Sequence, residues 1–150
     1  MAATSVNRAS IDIVRAILDD WNDREYKRLN EVVVDDIVQH GPVTDVEIRG
    51  REELAENIHA YQDAVSDLTS SVNLVFADET GESVCAHFTN TGTHDGELMG
   101  ISPTDAAGVV DFLGVDRVED GRIAESEILG VMYAHLGQLG TLPEIGPHAE

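Results

Sequence analysis

Residues 109–132, VVDFLGVDRVEDGRIAESEILGVM, decide the fold. They read as two strands joined by a tight reversal at Asp120-Gly121, because a hairpin turn needs positive φ and a glycine after an aspartate supplies it cheaply. A long hairpin of this kind forms the middle of an antiparallel sheet, with one face turned to a core or cavity. With a two-residue turn, Asp116 lies opposite Glu125 and Gly114 opposite Glu127. Phe112, Asp116, Ile123, Glu125, Glu127, Leu129 and Val131 then share one face. Leu113, Val115, Arg117, Ala124, Ile128 and Met132 share the other. A single bulge exchanges part of that assignment.

Working outward, the AHLGQLG segment after Met132 reads as a short helix packing back on the sheet. Upstream, Val72, Leu74 and Phe76 alternate with polar residues, as do Val84, Ala86 and Phe88 in the next strand. A glycine-punctuated connection follows, with a short strand expected at about 97–101. Before Ser66 the period is helical instead. Ser10 is a candidate cap for a helix carrying Ile11, Val14, Ile17, Leu18 and Trp21, and a second short helix is expected from Arg24 to about Val33. A brief strand from Ile37 to His40 ends at Gly41-Pro42, and a third helix carries Leu54, Ile58, Tyr61 and Val65. Helices first and strands last argue an α+β fold, with the helices laid on one face of a curved, cone-shaped antiparallel sheet.

The 150 residues make one domain, 42% hydrophobic, with Cys85 as the single cysteine. A disulfide framework is thereby excluded, and a reducing, cytoplasmic setting is expected. No apolar run approaches the roughly 20 residues of a membrane span. Twenty-nine acids face nine bases, for a net charge of −20, and Lys27 is the only lysine. Such a surface repels nucleic acid and anionic membranes. Acids scattered over every segment point to a salt-adapted protein, since strong salt screens their repulsion to about 3 Å.

With the order of elements in hand, the chain resembles the SnoaL-like polyketide cyclases, a branch of the fold named after nuclear transport factor two. The resemblance spans residues 13–140. It is carried by Trp21-Asn22, by Val38-Gln39-His40-Gly41-Pro42, and by Gly50-Arg51-Glu52-Glu53. Thr91-Gly92-Thr93-His94-Asp95-Gly96-Glu97-Leu98, Ile101-Ser102-Pro103-Thr104, the run from Arg117 to Glu125, and Gln138-Leu139-Gly140 complete it. The resemblance implies a cone around one apolar pocket, usually in a homodimer. It also implies ring closure of a polyketide without metal or organic cofactor, with an aspartate in the last strand as acid/base. Counted back from Gln138-Leu139-Gly140, that position is Val131, and the family's tryptophan four residues earlier is Glu127.

Aldol chemistry needs a base beside a carbonyl and a donor for the developing oxyanion. With Val131 at the aspartate position, the candidates are Glu127, then Asp116, and the histidines His40 and His94 at the expected rim; imidazole can donate or accept near neutral pH. Each has a structural alternative: a solvated acid for the carboxylates, a loop anchor for the histidines. Trp21, Met99, Phe112 and Val131 are expected to line the pocket, which would take a small apolar, carbonyl-bearing ligand. No metal-binding histidine or cysteine spacing and no phosphate-binding glycine loop occurs, so neither metal nor nucleotide is expected. Two functions follow: cofactor-free acid/base catalysis, such as cyclisation or isomerisation, or a non-catalytic dimeric module that binds such a ligand. The dimer is expected through the outer sheet face, at Leu113, Val115, Ile128 and Met132.

Overall fold

The computed structural model describes residues 5–41, 47–130 and 132–140. In chain order these form α1 (Ser5–Asp23), α2 (Leu29–Val32), β1 (Val33–His40), β2 (Glu47–Arg49) and α3 (Arg51–Ala64). Then come β3 (Thr69–Ala77), β4 (Ser83–Thr93), β5 (Ala107–Glu119), β6 (Arg122–Gly130) and α4 (Met132–Gln138). The six strands make one curved, unclosed sheet in the order β2-β1-β6-β5-β4-β3, with the N-terminal helices on its concave side. Among the described residues no helix is long and apolar enough to cross a membrane.

The expected antiparallel sheet is in fact mixed. β1 enters after α2 and runs parallel to β6, whereas every other neighbouring pair is antiparallel. The second helix is shorter than its pattern suggested. Arg24 takes φ 55°, a conformation that stops α1, and the β-branched residues Val32, Val33 and Val34 favour extension over another helical turn. Arg28 fixes the corner: its Nε donates to the buried Asp20 carboxylate at 2.8 Å. The strand expected at 97–101 reduces to an isolated bridge between Leu98 and Ile101.

The central hairpin turns at Asp120 (φ 49°) and Gly121 (φ 77°), the paired positive angles that match strand twist. Burial alternates residue by residue along all of β5, with Gly108, Val110, Phe112, Gly114, Asp116 and Val118 inward. In β6 the alternation breaks. Arg117 pairs with Glu125 but Val118 pairs with Ile123, leaving Ala124 as the extra residue of a bulge. Asp116 therefore faces Ser126, and Gly114 faces Ile128. Every β6 residue beyond the bulge is on the face opposite to that of the regular register: Ser126 and Ile128 turn inward, Glu127 and Leu129 outward. A second irregularity between Val72 and Leu74 likewise turns Leu74 and Phe76 out to the convex face, at 56% and 53% exposure.

The main core joins Val14 of α1, Leu29 of α2, Leu54 and Ile58 of α3, and Val33, Ile37, Ile48, Val84, Ala86, Val118 and Ile123 of the sheet. Polar side chains tie the helices down at defined points. Asn22 pairs with the β3 backbone in both directions, accepting from Ser70 N–H at 2.7 Å and donating to Ser70 C=O at 2.8 Å. Gln62 of α3 donates to the Trp21 carbonyl at 3.0 Å. At the far end, the Gln138 side chain makes the same two-way pairing with Val109, which docks α4 on β5.

Candidate functional site

The concave sheet and the two long helices do not close on each other. Between them lies a cavity of about 350 Å³, within the size range of small-molecule sites. Its walls are mostly apolar: Val14, Leu18, Ile37, Ile58, Phe88 and Ile128 among others. Phe88 and Phe112 stack at 5.4 Å with their planes 17° apart, and make a flat floor on β4 and β5. Gly114 continues that floor as a shallow step, where a side chain would crowd Ile128 Cδ1 at 3.2 Å. Trp21 and Phe112 line the cavity, and Met99, 54% exposed, stands at its mouth with Glu97. Val131 lies outside the described residues.

Asp116 is the carboxylate that this architecture brings inside. It projects from β5 beside Gly114, is 8% exposed and lines the cavity, with Ser126 directly across the hairpin. Burial pushes its pKa up from 3.8 to about 6, and the hydrogen bond from Ser126 holds it back only in part. A carboxyl in that state holds or releases a proton near neutrality, as an acid/base group in an apolar pocket must.

Glu127 and His40 are placed elsewhere. The β6 bulge turns Glu127 to the convex face, exposed and opposite Val115. His40 is on the same outer face, since in β1 it is the neighbouring Gln39 that lines the cavity. His40 Nε2 lies 3.2 Å from Glu125 Oε1, and its Nδ1 lies 3.5 Å from Glu47 Oε2. Arg117 also donates to Glu125 at 3.2 Å, so His40 first and Arg117 second hold the Glu125 carboxyl below its ordinary range. His40, Glu125 and Arg117 thus form a surface cluster; they do not converge with Asp116.

His94 is neither at the rim nor in the main cavity. At 2% exposure it borders a small chamber of about 10 Å³, together with His135, Tyr61, Asn90 and Gly108. The backbone N–H of Thr104 donates to His94 Nδ1 at 3.3 Å, and the Thr104 hydroxyl lies 3.0 Å from the same nitrogen. A backbone N–H can only donate, so Nδ1 is the acceptor and Nε2 carries the proton of the neutral ring. His135, packed against Gly108, is kept uncharged chiefly by burial and then by its proximity to His94, both of which lower its pKa.

Several cavity residues escape a sequence reading. Gln39, Asn57, Asn90 and Ser126 all line the cavity. Asn90 could have been found, because the inward alternation of Val84, Ala86 and Phe88 leads straight to it. Ser126 could not, since its inward position depends on the bulge.

The chain belongs to the SnoaL-like polyketide cyclase family, whose model matches residues 11–139. Among solved structures it is similar to IdmH of Streptomyces antibioticus, a candidate polyketide cyclase, at 27% identity and a TM-score of 0.74, covering 87% of this chain and 98% of that one. It is also similar to AclR of Streptomyces galilaeus, a candidate hydroxylase, at 25% identity and a TM-score of 0.78, covering 92% and 89%. A candidate SnoaL-like cyclase from a Jannaschia species superposes with a TM-score of 0.82 over 95% and 99% of the two chains; at 16% identity this speaks for the fold alone. No curated protein matches the chain.

Proposed function

We propose that the chain binds a small, flat, apolar carbonyl compound in the cavity and moves protons on it, with Asp116 as the acid/base and no cofactor. The observation that carries this reading is a buried carboxyl, poised near pH 6, on the wall of a mostly apolar cavity. In the ionised form Asp116 removes a proton from the carbon beside the carbonyl. The carboxylic acid so formed returns it to another carbon, which is an isomerisation, or to the alkoxide oxygen left when the deprotonated carbon attacks a second carbonyl of the same molecule and closes a ring. Ser126 orients the carboxyl by donating to it. The family membership supports ring closure as the natural use of such a step. The expected position of the acid, Val131, is replaced in this reading by Asp116 on the partner strand.

A simple ketone tests the step without knowledge of the natural substrate. 2-Tetralone in deuterium oxide exchanges the protons beside its carbonyl, and NMR follows the loss of signal. The protein is expected to accelerate exchange, and Asp116→Asn to abolish the acceleration while still binding the ketone. Equal exchange by both would remove Asp116 from the mechanism. Binding without acceleration by either would leave a ligand-carrying module.

The same reading includes a homodimer. Leu113, Val115 and Leu129 expose an apolar strip on the convex face, continued by Leu74 and Phe76. Ile128 does not join that strip, because the β6 bulge turns it to the cavity, and the side chain of Met132 lies outside the described residues. A second copy covering the strip would dry it, with Arg117, Glu125 and Glu127 at its polar rim.

A further inference from the structure

The wall of the cavity formed by Tyr61 and Asn90 is built from polar groups whose directions are set from behind. The sequence of constraints begins at Asn22, which pairs with the Ser70 backbone on both sides and so fixes that residue. The Ser70 hydroxyl then donates to the Asn90 carbonyl oxygen, a buried contact. With its carbonyl occupied in this way, Asn90 has its amide N–H groups to offer, and its side chain hydrogen-bonds the Tyr61 hydroxyl. Tyr61 is itself held edge-on against Trp21 at 6.0 Å and 62°. Burial keeps its hydroxyl protonated well past neutrality, the Asn90 contact opposing this only in part. A hydroxyl whose oxygen accepts from Asn90 has its proton free for another partner, and Tyr61 and Asn90 both line the main cavity.

We infer that Tyr61 and Asn90 form the donor site for the ligand's oxygen, so that the substrate is an enolisable ketone whose carbonyl oxygen rests on this wall while its acidic carbon faces Asp116. This rests on the proton-transfer reading above and adds the orientation of the substrate to it. When Asp116 takes the proton, the electron pair of the broken C–H bond passes into the carbonyl and negative charge gathers on the oxygen. Donors held in place on the cavity wall stabilise the enolate with little reorganisation, and more strongly in a mostly apolar cavity than in water. The wall also discriminates. A hydrocarbon of the same shape would leave the Tyr61 proton unpaired, so a ligand with an acceptor at this end is preferred. Ser70 and Asn22 stand outside the cavity and act through Asn90 as positioning residues.

The carbonyl stretch of bound 2-tetralone, enriched with carbon-13 at the carbonyl, reads this contact directly and independently of any turnover. In the wild type the band is expected at lower frequency than for the same ketone in hexane. Tyr61→Phe should return most of that shift, and Ser70→Ala, which frees the Asn90 carbonyl, should return part of it. Asp116→Asn should leave the band displaced, which separates the two roles. If proton exchange is lost in Asp116→Asn but Tyr61→Phe leaves both band and exchange rate unchanged, the donor assignment is wrong and the acid/base reading survives. If the band responds to Tyr61→Phe but exchange ignores Asp116, the donor site stands and the proton-transfer reading falls. A ketone that is not retained at all overturns both. The circular dichroism of each variant establishes that the fold is kept.

Discussion

Replacing Asp116 by asparagine should stabilise the protein at neutral pH while removing its chemistry. Burial holds the carboxyl at about 6 in the folded chain, against 3.8 for the free group. At about 1.36 kcal/mol for each pH unit, ionising Asp116 inside the cavity therefore costs the fold about 3 kcal/mol. The folded state binds this proton more tightly than the unfolded chain does. Its contribution is thus neutral below about pH 4, falls as pH rises to about 6, and stays constant above that. Asparagine never ionises, and its carbonyl still accepts from Ser126. Its amide N–H group arrives in an apolar setting, an offset on the order of 1 kcal/mol. Asp116→Asn is accordingly expected to be more stable than the wild type by about 2 kcal/mol at pH 8 and slightly less stable at pH 4. Urea unfolding of both proteins across that range, in molar potassium chloride to screen surface charge, measures the difference. A difference that does not change with pH would refute the argument, because it would mean that Asp116 is solvated in the folded chain.

Three further outcomes follow from the charge, the outer face and the α4 contact. With a net charge of −20, melting temperature should climb by many degrees from low to molar potassium chloride; a flat series would remove the salt-adapted reading. Leu113→Glu sets a charge opposite Leu129 on the convex strip, and should convert a dimer to a species of 16.2 kDa by light scattering, while a wild type already of that mass would contradict the dimer. His135 has a lowered pKa in the fold, so its contribution is complete above about pH 6.5 and is lost as pH falls below it. His135→Leu should therefore lose less stability than the wild type between about pH 6.5 and pH 5, and parallel losses would show that the ring is hydrated.

The fold was legible where period and turn chemistry agree. The helical spacing of Val14, Leu18, Leu54 and Ile58, the inward alternation of Val84, Ala86 and Phe88, and the Asp120-Gly121 turn each correspond to an observed element. The site was legible only in part. Asp116 shares a face of β5 with Phe112 whatever the pairing of β6, but Glu127 joins that face only in a hairpin without irregularity. One extra residue, Ala124, moves Glu127 to the outside and Ser126 to the inside, because side chains alternate with a period of two. Nothing in the local pattern around Ala124 announces it. His94 shows a different obscurity: a loop rich in glycine reads as exposed, yet Gly96 lies so close to Asp63 C=O that a Cβ would sit 2.3 Å away, and the loop is drawn down onto α3. The parallel placement of β1 beside β6 depends on chain topology, which no window of sequence contains.

On the proposed reading, Asp116 exchanges protons with a carbonyl ligand from inside a mostly apolar cavity. The pH–rate profile for deuterium exchange of 2-tetralone tests it most directly. The rate is expected to rise with pH through a midpoint near the folded-state value of about 6 and then level, with the protein-dependent rate absent in Asp116→Asn. A midpoint near that of a free carboxylate, about 4, or a profile unchanged by Asp116→Asn, would contradict it.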